Sequence, residues 1–245
     1  MTKRSGIGMN AYYSGRNVSG DWLSINRIGG GPALLDVTGI DKSGYERIGG
    51  LRDGEIDFTT GFNVATDQQH DSLKGLPTSD VHLMVTVGTT IGDQAACMVA
   101  KQVNYDPDRG EDGNIVFNVA AQANAYGLEW AELLTAGVRT DTSATNGTSI
   151  DGTAATSFGW QAYLQVFSFT GTSCTVTLQD SADNSTFAAV TGGAFTAATG
   201  RTSERLQSAS GATLRRYVRA ATSGTFSSCA FAVGIVRNTS VQAVF

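Results

Sequence analysis

The stretch VHLMVTV, residues 81–87, sets Val81, Leu83, Val85 and Val87 against His82, Met84 and Thr86. An apolar residue at every second position turns one face of an extended chain toward a core and the other away from it. That is the pattern of a half-buried strand in an antiparallel sheet. The same period runs outward on both sides. Ile56 and Phe58 alternate with Glu55, Asp57 and Thr59, and Ile115, Phe117 and Val119 alternate with Asn114, Val116 and Asn118. Cys97 and Val99 share a face with Lys101, Val103 and Tyr105, so that strand is expected to leave the core part-way along.

Helical signals are few. Thr66 as N-cap, Gln69 three residues on, Asp67 in the first turn, Lys74 in the last, then Gly75 and Pro77 predict a short helix over 67–74. A second helical turn is expected at 127–135, with Leu128, Ala131, Leu134 and Thr135 on one face. After Gly137 the composition shifts. Residues 139–157, RTDTSATNGTSIDGTAATS, are rich in Thr, Ser, Gly and Ala, which predicts a linker over 138–157 or a long surface loop. Strand alternation resumes at Trp160, Ala162, Leu164 and Val166, again at Cys174, Val176 and Leu178, and last at Cys229, Phe231, Val233 and Ile235. Asp180–Ser185 reads as a turn, with Phe187 and Val190 on the returning strand.

Composition narrows the classes. Gly is 30 of 245 residues without a G-X-Y period, which excludes collagen. No apolar run approaches the ~18 residues of a membrane-spanning helix. Lys3 and Arg4 are followed by no apolar segment, so a secretory leader is not expected. Cys97, Cys174 and Cys229 are odd in number and sit in apolar runs, which predicts buried free thiols and folding in a reducing compartment. The net charge of −5 is unevenly divided, about −7 over residues 1–137 and about +2 beyond. A strongly acidic unit repels nucleic acid.

Catalytic signatures are lacking: there is no G-x-S-x-G, no phosphate-binding loop, and only His70 and His82. The chain is therefore not expected to be an enzyme or to carry a cofactor. Asp106, Asp108, Glu111 and Asp112 in YDPDRGEDGN fit a solvated hairpin tip better than a calcium loop. His70, His82 and Cys97 have no short-range ligand spacing, so no metal site is expected, and both histidines read as surface residues. Arg215, Arg216 and Arg219 read as decoration on a strand face. Tyr163, Phe167 and Phe169 are either sugar-stacking aromatics or, on the favoured reading, core.

Three segments carry a resemblance. LLDVTGIDKSGYERIGGLRDGEIDFTTGF, residues 34–62, followed by HDSLKGL at 70–76, resembles the major tail tube protein of long-tailed bacteriophages. GNIVFNVAAQANAYGLEWAELLTAG, residues 113–137, is similar to the end of such a domain. LQDSADNSTFAAV, residues 178–190, resembles the accessory β-sandwich that many of these proteins carry. The resemblance implies an all-β fold with one short helix. A tail-tube-type β-sandwich or barrel would occupy residues 1–137, and a small immunoglobulin-like β-sandwich residues 158–245.

It further implies a structural virion protein, assembled in the host cytoplasm and resident in the tail. Protomers would extend one another's sheets into hexameric rings that stack into a tube through which DNA is ejected. Tape measure, tail terminator and distal tail proteins would be its partners. The loop Asp36–Asp53, with Lys42, Tyr45, Glu46 and Arg47 as contacts, would reach the neighbouring ring, as would the N-terminal arm. Glu55, Asp57 and Asp93, on polar strand faces or at strand ends, are the candidates for an acidic lumen wall. The outer unit is expected to touch host-surface glycans weakly. A monomeric carbohydrate-binding or adhesin-like protein is the alternative.

Overall fold

A computed structural model of the chain describes residues 5–240; Lys3 and Arg4 lie outside them. Strands β1 (Asn10–Tyr13) and β2 (Arg16–Asn17) lead into two long ones, β3 (Trp22–Asp36) and β4 (Arg47–Gly61). The short helix α1 (Gln69–Leu73) precedes β5 (Val81–Thr86), β6 (Gln94–Gln102), β7 (Asp106–Arg109), β8 (Ile115–Ala123) and β9 (Glu129–Leu133). The C-terminal part holds β10 (Arg139–Asp141), β11 (Ile150–Asp151), β12 (Trp160–Ser181), β13 (Ala188–Ala194), β14 (Thr202–Gln207) and β15 (Tyr217–Arg237). Among the described residues the fold is thus all-β with one short helix. All strands join one antiparallel network, ordered β13-β12-β15-β9-β6-β5-β1-β2, with β8, β4 and β3 branching from β6.

The alternation read from the sequence places residues correctly where one face is covered. Ile56, Phe58, Leu83, Val85, Phe117 and Val119 are buried. In β6 the pattern behaves differently. Ala96, Met98 and Ala100 face a core with Ile56, Phe58 and Leu83, while Cys97 and Val99 face a second cluster with Tyr12, Met84, Leu133 and Tyr163. The sheet is covered on both faces here, so Met84, expected on the polar side, is buried as well. Strands buried on both faces read as continuous apolar runs. The strand does leave the core at its end, with Val103 exposed beyond Gln102.

Several local expectations are corrected. Gln68, not Thr66, is the helix N-cap and makes no side-chain capping bond. The Gln69 N–H instead donates to Asp21 Oδ2 at 3.0 Å, while Asp67 takes a left-handed φ of +65°. Residues 129–133 are strand, not helix, because β9 is hydrogen-bonded to β6 on one side and β15 on the other. The expected linker is not a free tether. β10 and β11 pair with β15, and Gly147 N–H donates to Ala220 O at 2.9 Å. His82 is not on a solvent face; it is half-buried, its Nδ1 sits 2.9 Å from Ser203 Oγ, and burial lowers its pKa. His70 is also half-buried, its Nδ1 3.1 Å from Tyr105 Oη.

The two strands expected at 160–166 and 174–179 are one strand of 22 residues, β12, paired along its length with β15. A straight strand would separate Trp160 from Leu178 by about 60 Å at ~3.3 Å per residue. The ladder is instead broken by register shifts between Val166 and Ser173, and both halves contribute to one core. Gly171 lies in that stretch with φ +147°, and a Cβ there would stand 2.4 Å from Phe226 Cα. Cys174 and Cys229 are hydrogen-bond partners inside this core, all three cysteines are buried and free, and burial pushes the Cys229 thiol up to about 12. Tyr163 is core, fully buried.

The N- and C-terminal parts meet through a buried polar seam. Arg205 of β14 grips Glu129 of β9 with two of its three guanidinium nitrogens, Nε to Oε2 at 2.9 Å and Nη2 to Oε1 at 2.8 Å. Tyr163 Oη donates to the same carboxylate, and the guanidinium lies 3.7 Å over the Tyr126 ring. Arg201 pairs with Asp67 across the same boundary, and Gln165 accepts from Gly15 N–H at 2.6 Å.

Candidate functional site

Strand β4 pairs with β8 only over Glu55–Gly61, whereas it pairs with β3 back to Arg47. Residues 47–54 and their β3 partners therefore extend beyond the sheet as a two-stranded arm, about 26 Å long at ~3.3 Å per residue. Loop 37–46 closes the arm. Its shape is set locally: Val37 N–H donates to Glu46 O at 2.9 Å and Glu46 N–H to Thr38 Oγ1 at 2.9 Å. Hydrogen bonds from Thr38 hold the Asp36 carboxyl below its ordinary pKa.

The four loop residues singled out in the sequence form two pairs. Lys42 Nζ lies 3.7 Å from Glu46 Oε1, and the Arg47 guanidinium lies 4.5 Å over the Tyr45 ring. Exposed pairs of this kind add little stability. Asp36 and residues 47–53, expected in the loop, belong to the strands.

The apolar residues of the arm escaped the sequence reading. Leu34 is 70% exposed and Leu51 89%, and Leu35, Val37, Ile40 and Ile48 are exposed with them, beside the already named Tyr45. Leu35 and Ile48 are cross-strand partners. The signal was present as LLDV and IGGL, apolar residues that do not alternate cleanly with polar ones. An isolated two-stranded ribbon is at best marginally stable in water, and so many exposed large apolar side chains on one leave it apolar surface to cover. Among the described residues β3 pairs only with β4, so its second edge is open over fifteen residues that include one Pro, one Arg and no Lys. Its guards are that Pro and register shifts at Trp22/Ser24, Ile25/Arg27 and Pro32/Leu34; the unpaired backbone groups between them can template pairing with another chain.

The arm's root is closely packed. Arg52 Nη2 donates to Leu128 O at 3.2 Å. A Cβ on Gly54 would stand 2.6 Å from Leu128 N and 3.1 Å from Met98 Sδ. Gly54→Ala is therefore expected to cost about 1–3 kcal/mol, read as a lowered urea midpoint. Gly75→Ala, where a Cβ meets nothing within 4 Å, serves as the neutral control.

Below the root, the outer face of β3-β4-β8 is polar. Asn26 Nδ2 donates to Thr59 Oγ1 at 3.0 Å, and Thr59 Oγ1 to Asn118 Oδ1 at 3.1 Å. Glu55 and Asp57 lie in the same run of β4, alternating with buried Ile56 and Phe58. Arg27 Nη1 pairs with Glu55 Oε2 at 2.8 Å. Desolvation and the neighbouring Glu55 raise the Asp57 pKa. Asp93 is not brought to this face: it is buried beside the β5–β6 turn, where Oδ2 accepts Thr90 N–H at 2.9 Å.

The raised Asp57 pKa has a definite sign. The native state holds its proton more tightly than the unfolded chain, so stability falls as pH rises from the ordinary carboxylate value through the raised one. Asp57→Asn is expected to match or exceed the parent in urea midpoint at pH 7 and to lose that advantage near pH 4. A lower midpoint for the variant at pH 7 would contradict this reading. The carboxylates at 106–112 form an exposed hairpin, as expected for a solvated tip; Asp112 Oδ1 accepts Asn114 N–H at 3.0 Å.

No family model matches the sequence, and a search of curated proteins returned no match. Among solved structures, a chain in the virion of a native gene transfer agent particle is 14% identical, with 52% of this chain and 98% of that one covered at a TM-score of 0.41. A chain in the tail of an empty gene transfer agent particle, solved with C6 symmetry, is 16% identical over 53% of this chain and 98% of that one, TM-score 0.41. The Dit protein of phage SPP1 is 12% identical over 94% of this chain and 99% of that one, TM-score 0.33.

Proposed function

We propose that this chain is a structural virion protein that polymerises into stacked hexameric rings, forming a phage tail tube through which DNA is ejected. The observation that carries the reading is the arm: a ribbon with apolar side chains exposed, beside a fifteen-residue open strand edge. A chain so built gains most by pairing with copies of itself. Edge pairing between neighbours closes a ring and removes the open edge. Contact between arm and neighbouring ring is heterologous, so it repeats along the axis without limit. The hexameric number and the tape measure, terminator and distal tail partners come from the family resemblance alone.

On this reading residues 1–137 form the ring and residues 158–245 decorate its outside. The polar face bearing Glu55 and Asp57 lines the lumen, where negative charge and neutral amides keep DNA from adhering. The mature site is the virion tail, after assembly in the host cytoplasm. Negative-stain microscopy of concentrated purified protein tests the proposal. Rings or tubes with a central hole are the expected result; a protein that stays monomeric at every concentration overturns it.

A further inference from the structure

We propose that Cys174 and Cys229 are a modification site, at which a peroxide joins the two thiols as an intrachain disulfide linking β12 to β15. Both are free and both belong to one buried core, whereas Cys97 lies in a different cluster. They are not cross-strand partners. Cys174 stands opposite Gly224 and Cys229 opposite Phe169, and two of the register shifts in the β12–β15 ladder separate those pairs. Their thiols meet all the same and hydrogen-bond to each other. A disulfide needs sulfurs that face each other and Cα atoms about 4.4–6.8 Å apart. Thiols in hydrogen-bond contact satisfy the first condition. The register shifts help with the second, because irregular backbone is free of the ladder that would resist a small approach. Gly224 puts no side chain beside Cys174, so nothing on that cross-strand position crowds the bond.

The pair also supplies an order of reaction. Burial raises both thiols; the hydrogen bond pulls Cys174 back down and pushes Cys229 further up, to about 12. The charged groups that face them, Asp141 and Arg139 of β10, are paired with each other. Cys174 is therefore the thiol that ionises first, and Cys229 waits beside it. Hydrogen peroxide is little larger than water and needs only a small opening of the core. The Cys174 sulfur, its proton given to water, attacks one peroxide oxygen. An S–O bond forms, the O–O bond breaks, and the departing hydroxide takes up a proton as water. The Cys229 sulfur then attacks Cys174. The S–S bond forms, the S–O bond breaks, and the Cys229 proton leaves in a second water. The two thiols give up two electrons and two protons, and one peroxide becomes two waters. A buried cysteine without such a neighbour has no thiol to stop its oxidation at this stage. A protein that folds in a reducing compartment and is then released from it acquires such a bond after folding.

The inference stands apart from the assembly reading, since both cysteines are in one chain and no second copy is needed. The full chain is treated with hydrogen peroxide, unfolded, and its remaining thiols are alkylated for mass spectrometry. The expected result is a fall from three free thiols to one, with Cys97 alkylated and a peptide pair joining Cys174 to Cys229. The mass before alkylation falls by about 2 Da, the two hydrogens lost. Between pH 7 and 8 the bond is expected to form about tenfold faster, as the thiolate fraction grows. It closes a loop of about 55 residues and is expected to raise the melting temperature by about 5–10 °C, reversed by dithiothreitol. Cys229→Ala is expected to leave Cys174 without any disulfide under the same treatment; if that variant does not fold, the linkage map of the parent protein decides alone. Three intact thiols at peroxide levels that already oxidise methionine, a link through Cys97 or between two chains, or sulfinic acid at Cys174 or Cys229 in place of the bond overturns the proposal.

Discussion

Deleting Lys42–Arg47 is expected to leave a folded protomer with an essentially unchanged melting temperature that no longer forms rings or tubes. The deleted residues belong to none of the three core clusters, and their ion pairs are among themselves or with Asp41. What is lost is the tip that presents Tyr45 and orders Ile40 and Val37. Fully burying a Leu- or Ile-sized side chain contributes about 1.5–3 kcal/mol, so an interface built on the exposed residues of the arm loses most of its drive when the tip is gone. Ile40→Lys with Leu51→Lys makes the same test without shortening the chain. Sedimentation and microscopy read the outcome. Normal tubes from both variants would show that the arm is not the assembly element.

The second large effect concerns the seam. Glu129→Ala is expected to cost about 3–5 kcal/mol, because removing one partner of a buried ion pair leaves an uncompensated charge. Arg205 and Glu129 have side chains only 4% and 6% exposed, so solvent gives little relief. Tyr163 loses its acceptor at the same time, and its pKa is already raised, first by burial and then by Glu129. For a chain of this size ~1 kcal/mol shifts the melting temperature by about 2–4 °C, so a drop near 10 °C is expected. Glu129→Leu with Arg205→Met, which removes both charges, should recover much of the loss. Equal losses in the single and double variants would mean the seam is held by its apolar neighbours, Tyr12 and Phe167 among them, rather than by the ion pair.

The seam also shows why part of the molecule was not legible in advance. Glu129 reads as one polar residue in a weak helical pattern, and Arg205 as one of seven arginines after residue 137. Nothing local links them; β9 and β14 meet only because β12 and β15 pass between the two parts. Lys42, Tyr45, Glu46 and Arg47 were singled out through the family resemblance and their mix of charges, and the two pairs they form with one another were not read in advance. Leu34, Leu35, Ile48 and Leu51 were missed because an apolar residue in a strand reads as core unless the covering layer is known to be absent.

By itself the sequence determined that the regular structure of this chain is strand with one short helix, and which side chains of the one-faced strands turn inward. The period of two is a property of the extended backbone and needs no neighbour to be read. Only the tertiary structure decided that residues 129–133 are strand, that β12 is one strand whose ladder breaks around Gly171, that 138–157 is stitched to β15, and that the arm stands uncovered. Each of those outcomes depends on which distant segment supplies the missing hydrogen bonds or the covering layer, and that is settled by pairing between strands far apart in the chain.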